Sequence, residues 1–341
     1  MVDVLVYGLS AMALFGLVKL AGREGMERIL SPDWAFLLGA LAITYLFTES
    51  MTLRYAAILR FLHGERIPSH LPLLYGTVVG MTAGLVVPRE MAQLVGKPAL
   101  LKDQEGFPMS CGVYGAVLER VMDLGTGLVL GIPFLVKILM DQEPFRGFFV
   151  MVFAVVLVGW AAVIICNFTP LLRRLDALFQ FFARAVARLS WIPTARVQRW
   201  LERGRGDLML PEGPRRGEAA FVLWTMNKTI MMSLRLLMLS LAFSVPIPLE
   251  DLLLGIAAVQ LSLVLSFTPG AIGFLEAGWY AALSLQGVPH GATLTLLLGL
   301  RASNYLFFPV LTLVVWAVYR VRRKKGAGAR MVNRTEDSCR A

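Results

Sequence analysis

Eight apolar runs, most of them near the length that crosses a bilayer, leave this chain few possible folds. They lie at roughly 2–21, 34–62, 71–88, 111–140, 146–167, 219–245, 251–268 and 292–319. A hydrocarbon core takes about 20 apolar residues in a helix. Lipid offers no hydrogen bonds, so backbone at that depth must pair with itself, and uninterrupted runs of this length specify helices. The run at 71–88 is short, and 34–62 is long enough to tilt or to end in the interface. The expected fold is all-α, a polytopic transmembrane helical bundle of about 8–9 spans, some of them broken or re-entrant. The chain's 341 residues are 57% hydrophobic and 16% charged, which lies outside the soluble range.

Charge sets an expected orientation. The net charge of +10 is concentrated at 173–216 and 320–330. On a membrane protein such clusters mark the cytoplasmic side and contact with anionic headgroups, and nucleic acid is not an expected partner. The first run, Val4 to Val18, follows Asp3 and precedes Lys19, Arg23 and Arg28. A signal peptide carries its positive charge in front, so this reads as a retained span with the N-terminus outside. Counting onward places 22–33, 89–110 and 168–218 in the cytoplasm. The connections at 141–145 and 246–250, with Asp141, Glu143 and Glu250, fall outside. Segment 270–286 then decides the C-terminus. A dip and return would leave it outside, whereas Arg320, Arg322, Arg323, Lys324 and Lys325 argue for inside. A crossing as a broken helix is therefore favoured for 270–286. The more polar 89–105 is expected to be re-entrant or interfacial.

One transmembrane domain, 1–325, is expected in the cell membrane, with halves 1–167 and 219–325. The linker 168–218 and the C-terminus are expected to be cytoplasmic, and 326–341 a disordered tail. Within the linker, Leu171, Leu172, Leu175, Leu178, Phe179, Phe182 and Val186 recur at helical period. Arg173, Arg174, Arg184 and Arg188 lie largely off that stripe. An amphipathic helix over 171–206 lying on the inner leaflet and one packed on the rest of the protein fit equally well.

A spaced set of residues recurs. Pro88, Gly106, Pro108 and Arg120 reappear 181 residues later as Pro269, Gly287, Pro289 and Arg301. Four apparent crossings separate the copies, which predicts a parallel duplication. A guanidinium in hydrocarbon is expensive and marks a functional site by default. Its planar fork suits a phosphate.

Other charges accompany the two arginines. Glu119 and Asp123 are four apart and share a helix face. Asn304 and Tyr305 follow Arg301 at i+3 and i+4. Glu49 and Arg54 lie on the second span, where structural and functional roles weigh equally. Asn227, Lys228 and Arg235 lie on the sixth, and Glu276 in the Gly-rich segment. Pro88 and Pro269 end helices. Pro269, Gly270 and Gly273 suggest a break followed by a new helix start, whose free N–H groups favour anions.

Familiar catalytic chemistry is missing. The sequence holds no phosphate loop, no His-Glu-x-x-His and no Gly-x-Ser-x-Gly. Cys111, Cys166 and Cys339 have no pairing or ligand spacing, and His63, His70 and His290 are scattered. The expectation is a protein that is not an enzyme and has no metal or cofactor.

The stretches VVPREMAQLV, EGFPMSCGVYGAVLERVMDLG and FTPGAIGFLEAGWYAALSLQGVPHGATLTLLLGLRASNYLFFP resemble the lysylphosphatidylglycerol synthase transmembrane-region family, whose members are also described as flippase-like. Glu119, Arg120 and Asp123 match its Glu-Arg-x-x-Asp element. Pro269, Gly270, Gly273, Glu276, Gly287, Val288 and Arg301 match its late element. The first element departs, because Glu90 follows Arg89 with no glycine between them, and this leaves Glu90 outside the expected site. The resemblance covers about residues 35–320. It implies a membrane protein of lipid handling, similar to the part that moves aminoacylated phosphatidylglycerol between leaflets. With the paired arginines and broken helices, the expected function is a transporter that moves an anionic phospholipid or polyprenyl phosphate between leaflets. It gives no ground for aminoacyl-transferase activity, since no soluble domain for it is expected in this chain. The expected phosphate site is Arg120 and Arg301 with Arg89, Glu119, Asp123, Glu276 and Asn304, shaped by breaks at Pro88, Pro269, Gly270, Gly273 and Gly287. Two alternatives remain. One is a membrane-embedded transferase acting on a lipid-linked sugar, with Glu119, Asp123 and Glu276 as base or metal ligands. The other is a non-catalytic partner that docks a lipid-modifying enzyme through 171–206.

Overall fold

The computed structural model describes residues 22–64, 67–140, 217–264, 268 and 271–340, with scattered positions between 15 and 19 and between 151 and 162. The stripe at 171–206, most of the first and fifth apolar runs, Pro269 and Gly270 lie outside the described residues. Everything described is helix, turn or irregular connection, with no strand.

Two sets of four helices follow one another. The first is α1 (Trp34–His63), α2 (His70–Ala83), α3 (Lys97–Glu105) and α4 (Met109–Met140). The second is α5 (Gly217–Ala242), α6 (Leu249–Val264), α7 (Phe274–Leu285) and α8 (His290–Arg340). Trp34–His63 and His290–Arg323 are long and apolar enough to cross a membrane. Each begins and ends for local reasons. Asp33 caps α1 by accepting from Ala35 N at 2.9 Å, and α1 stops at Gly64 with φ 73°. A side chain at that φ would crowd the backbone, which glycine avoids.

Hydroxyls inside α1 and α5 are satisfied without a partner helix. Thr44, Thr48 and Thr52 donate to Ala40, Thr44 and Thr48 carbonyls at 2.6, 2.8 and 2.9 Å. Thr225, Thr229 and Ser233 repeat this ladder on Phe221, Thr225 and Thr229 at 2.9, 3.0 and 3.0 Å. Every member of the second ladder stands 181 residues after its counterpart.

In each set the two short helices form a hairpin. Gly76 faces Lys97 and Leu101, and Gly80 faces Gln93, so the chain descending from α2 retraces its path through a turn of π-helix at Ala92–Gly96 into α3. In the second set Gly255 faces Trp279 and Ala282, and the Gln286 side chain donates to Asp251 O at 3.1 Å. Helix α7 therefore doubles back along α6, and at 12 residues it is shorter than the roughly 20 that cross a bilayer. Gly106 (φ 66°) and Gly287 (φ 77°) both turn the chain out of the hairpin, and Pro108 and Pro289 precede the long helices α4 and α8. The repeated glycine and second proline thus mark one structural junction used twice.

The copies are inverted. Asp33 N donates to Ala242 O at 2.8 Å, Asn227 Nδ2 to Ser50 Oγ at 2.6 Å, and Phe61 and Leu62 cluster with Phe221 and Val222. The start of α1 meets the end of α5, and the end of α1 meets the start of α5, so equivalent helices run antiparallel. Cross-packing follows the same two-fold relation. Hairpin arm α2 lies on α8, where Thr312 bonds Val78 O at 3.3 Å and Thr82 at 2.7 Å. Its counterpart α6 lies on α4, where Gly127 faces Ala257 and Gln260. The parallel duplication expected from counting is thus overturned, because that count took 251–268 as a crossing whereas α6 and α7 pair as a hairpin. Residues 22–33 were expected on the same side as the linker through a count that took 71–88 as a crossing too. Arg28 donates to Ser244 O at 3.0 Å, which places this segment at the bundle end opposite residue 217. Helix α8 runs to Arg340.

Close approach of the hairpin arms needs a bare backbone at Gly278. A methyl there would meet Ser262, with Val259 Cα at 3.2 Å, whereas one at Gly291 would meet nothing within 4 Å. Gly278→Ala is expected to cost about 1–3 kcal/mol by overpacking. The check is Tm in detergent against Gly291→Ala, which should stay near wild type.

Candidate functional site

Charged side chains from both halves meet near the middle of α1 and α5. Asp123 on α4 is the hub of the first half. It accepts from Arg54 at 2.6 and 3.4 Å, from Lys228 Nζ at 2.6 Å and from Arg120 at 3.5 Å. Glu119, one turn earlier, accepts from Arg54 Nε at 3.2 Å and Lys97 Nζ at 3.3 Å. Lys97 is fully buried, with its ammonium 3.5 Å from the Tyr55 ring centroid. That ring is held in turn by Tyr55 OH donating to Gly112 O at 2.8 Å. Glu119 and Asp123 are reached together because they share one face of α4.

Arg120 points off that face. Its Nε lies 2.7 Å from Glu90, just past the turn at Pro88. In the second half Glu276 does two jobs. One oxygen accepts from Gly273 N at 2.8 Å, capping α7, and the other accepts from Arg301 Nε. The left-handed Gly273 (φ 90°) and the turn from Thr268 to Ala271 set the start of that helix. Arg235 on α5 donates to Ser303 Oγ at 3.3 Å and to Asn304 Oδ1.

Arg89, Arg120, Lys228, Arg235, Arg301 and Asn304 line one cavity, walled on its apolar sides by residues such as Met51, Trp279 and Phe308. The space open to the centres of water-sized molecules is about 70 Å³. That holds roughly five waters, or a compact polar headgroup, but not acyl chains. Among the described residues the cluster has seven cations (Arg54, Arg89, Lys97, Arg120, Lys228, Arg235, Arg301) and four carboxylates (Glu90, Glu119, Asp123, Glu276), an excess of three positive charges. Such a site favours an anion.

The structure brings Arg89, Arg120, Arg301 and Asn304 onto one cavity, with Glu119, Asp123 and Glu276 behind them as partners of the cations. Pro88 and Gly273 shape the hairpin turns beside the cavity, and Gly287 lies at the distant junction with α8. Glu49 stands apart, 2.7 Å from His70. Arg54, Lys97, Lys228 and Arg235 were missed as site members, and Glu90 was set aside for its missing glycine. The repeat held a signal for two of them. Arg54 and Arg235 share the 181-residue offset, and so do Asp123 and Asn304.

A family model described as Lysylphosphatidylglycerol synthase TM region matches residues 1–324. No curated protein matches the chain.

Proposed function

The chain belongs to the lysylphosphatidylglycerol synthase transmembrane-region family, and from that premise we propose that it moves a phosphate-bearing lipid between leaflets by lodging the headgroup in the arginine-lined cavity. The observation that carries this reading is the cavity itself. It gathers five cations from both inverted copies, beside Gly84 and Leu85 at the turn of the first hairpin and Leu275 near the start of α7. Inverted repeats with interrupted helices and a central site are the general plan of transporters that open to each side in turn. In a bilayer the hairpins α2–α3 and α6–α7 re-enter from opposite faces. The headgroup sits between their tips, while the acyl chains stay in lipid outside.

One orientation suits this reading. One crossing, one re-entrant hairpin and another crossing separate residue 217 from residue 320, so the basic linker and the basic end of α8 share a face. Both satisfy the positive-inside rule if that face is cytoplasmic. The conflict over 270–286 then disappears. With residues 22–33 at the opposite face, a crossing first run puts the N-terminus inside.

A transferase using Glu119, Asp123 or Glu276 as base or metal ligand fits less well, because each of these carboxylates already holds an arginine or a lysine. The test is leaflet exchange of labelled phosphatidylglycerol and of a polyprenyl phosphate in vesicles reconstituted with the purified protein. Exchange of either above protein-free vesicles is expected, and exchange of neither would refute the reading.

A further inference from the structure

The two copies place an arginine against their last helix at equivalent positions and then treat it differently. In the first copy Arg54 donates to both oxygens of Asp123 and also to Glu119. In the second, the residue equivalent to Asp123 is Asn304, and the residue equivalent to Glu119 is Leu300. Arg235 still reaches the side-chain oxygen at that position. The contact is kept and the negative charge is gone.

Arg235 is consequently an unusual group. It is 8% exposed, and its Nε has no hydrogen-bond partner among the described residues. No carboxylate there pairs with Arg235, and Arg89 forms no ion pair there although the charges of Glu90 and Asp123 act on it. Both arginines line the cavity, and Arg89 opposes the charge of Arg235. The ring of Phe308 lies 5.9 Å from the Arg235 guanidinium, a weak apolar neighbour rather than a counter-ion. A buried cation without a counter-charge is costly in a low-dielectric site. A bound anion removes that cost, and the planar guanidinium offers the anion two aligned donors.

We propose that Asn304 is the charge-setting residue of this cavity, and that Arg235 with Arg89 is the anchor for the phosphate. The inference rests on the lipid-phosphate reading and deepens it. Occupying a position that carries a carboxylate in the other copy, the Asn304 amide orients Arg235 without neutralising it. The phosphate then serves as the missing counter-charge, and Arg120 and Arg301, already engaged by Glu90 and Glu276, complete its surroundings.

The experiment is calorimetric titration of the full chain in detergent with dihexanoyl phosphatidylglycerol and, in a second arm, with inorganic phosphate. Wild type is expected to bind the lipid. Asn304→Asp supplies Arg235 with its own carboxylate and should weaken binding at least tenfold while raising Tm. A purely structural asparagine would lose Tm and keep its affinity. Arg235→Met should lose binding similarly, with partial recovery in Arg235→Lys, and it carries the test if Asn304→Asp does not fold. Binding of inorganic phosphate as well as lipid assigns recognition to the phosphate group alone. Binding of lipid only adds a requirement for its glycerol or acyl parts. The two substitutions should weaken binding in either case. Wild-type affinity in folded Asn304→Asp and Arg235→Met, alongside loss in Arg301→Ala, would overturn this assignment and leave the wider reading standing. No binding of either ligand by wild type, together with no leaflet exchange of either labelled lipid, would overturn both.

Discussion

Asp123→Ala should be the most damaging single substitution in the charged cluster, leaving little folded protein or a much reduced Tm. Its carboxylate accepts from Arg54, Lys228 and Arg120 together, and it is 5% exposed. Removing one partner of a buried ion pair costs about 3–5 kcal/mol, because the charge left behind has neither water nor counter-ion. Here three cations lose a partner at once, in a protein whose total stability is on the order of 5–15 kcal/mol. The measurement is monodispersity and Tm of the purified protein in detergent. Arg54→Met added to Asp123→Ala should recover part of the loss by removing the most buried stranded charge. If the double variant were no better than the single, the damage would not come from stranded charge.

Arg120 and Arg301 should matter for transport more than for folding, provided their carboxylates are neutralised with them. Arg301→Met alone strands Glu276, whose second oxygen also caps α7. The informative variants are therefore Arg301→Met with Glu276→Gln, and Arg120→Met with Glu90→Gln. A hydrogen bond to a charged group contributes about 1.5–3 kcal/mol, so each pair should slow leaflet exchange roughly 10- to 150-fold. Tm should stay within a few degrees of wild type. Unchanged exchange in both pairs would place the phosphate somewhere other than this cavity.

The helical class was legible because run length in a membrane leaves almost no alternative. The hairpins were not. Residues 71–88 and 251–268 are as apolar as true crossings, and nothing in the first of these runs shows that α2 is only 14 residues long. That ambiguity propagated. Counting 251–268 as a crossing made the inverted duplication parallel, and counting 71–88 as another put 22–33 at the same end as residue 217, whereas Arg28 at Ser244 puts it at the opposite end. The Pro-Gly-Pro-Arg spacing did locate a real junction, since Gly106 and Gly287 adopt the same left-handed turn before α4 and α8. Arg54 was weighed evenly between roles because a lone charge on a helix does not show what faces it. Its partners lie 65 and 69 residues away on α4. Glu90 was set aside because a family glycine is missing before it. Its carboxylate still reaches Arg120, because the turn at Pro88 and the single helical turn Arg89–Met91 present it without that glycine.

The most direct test of the central claim, that this cavity holds a lipid phosphate, is mass spectrometry of the lipids retained by the purified full chain. Wild type is compared with Arg301→Met/Glu276→Gln. An anionic phosphate-bearing lipid at near-stoichiometric level in wild type, and strongly reduced in the variant, is the predicted result. Equal retention by both proteins, or retention of zwitterionic lipids alone, would contradict it.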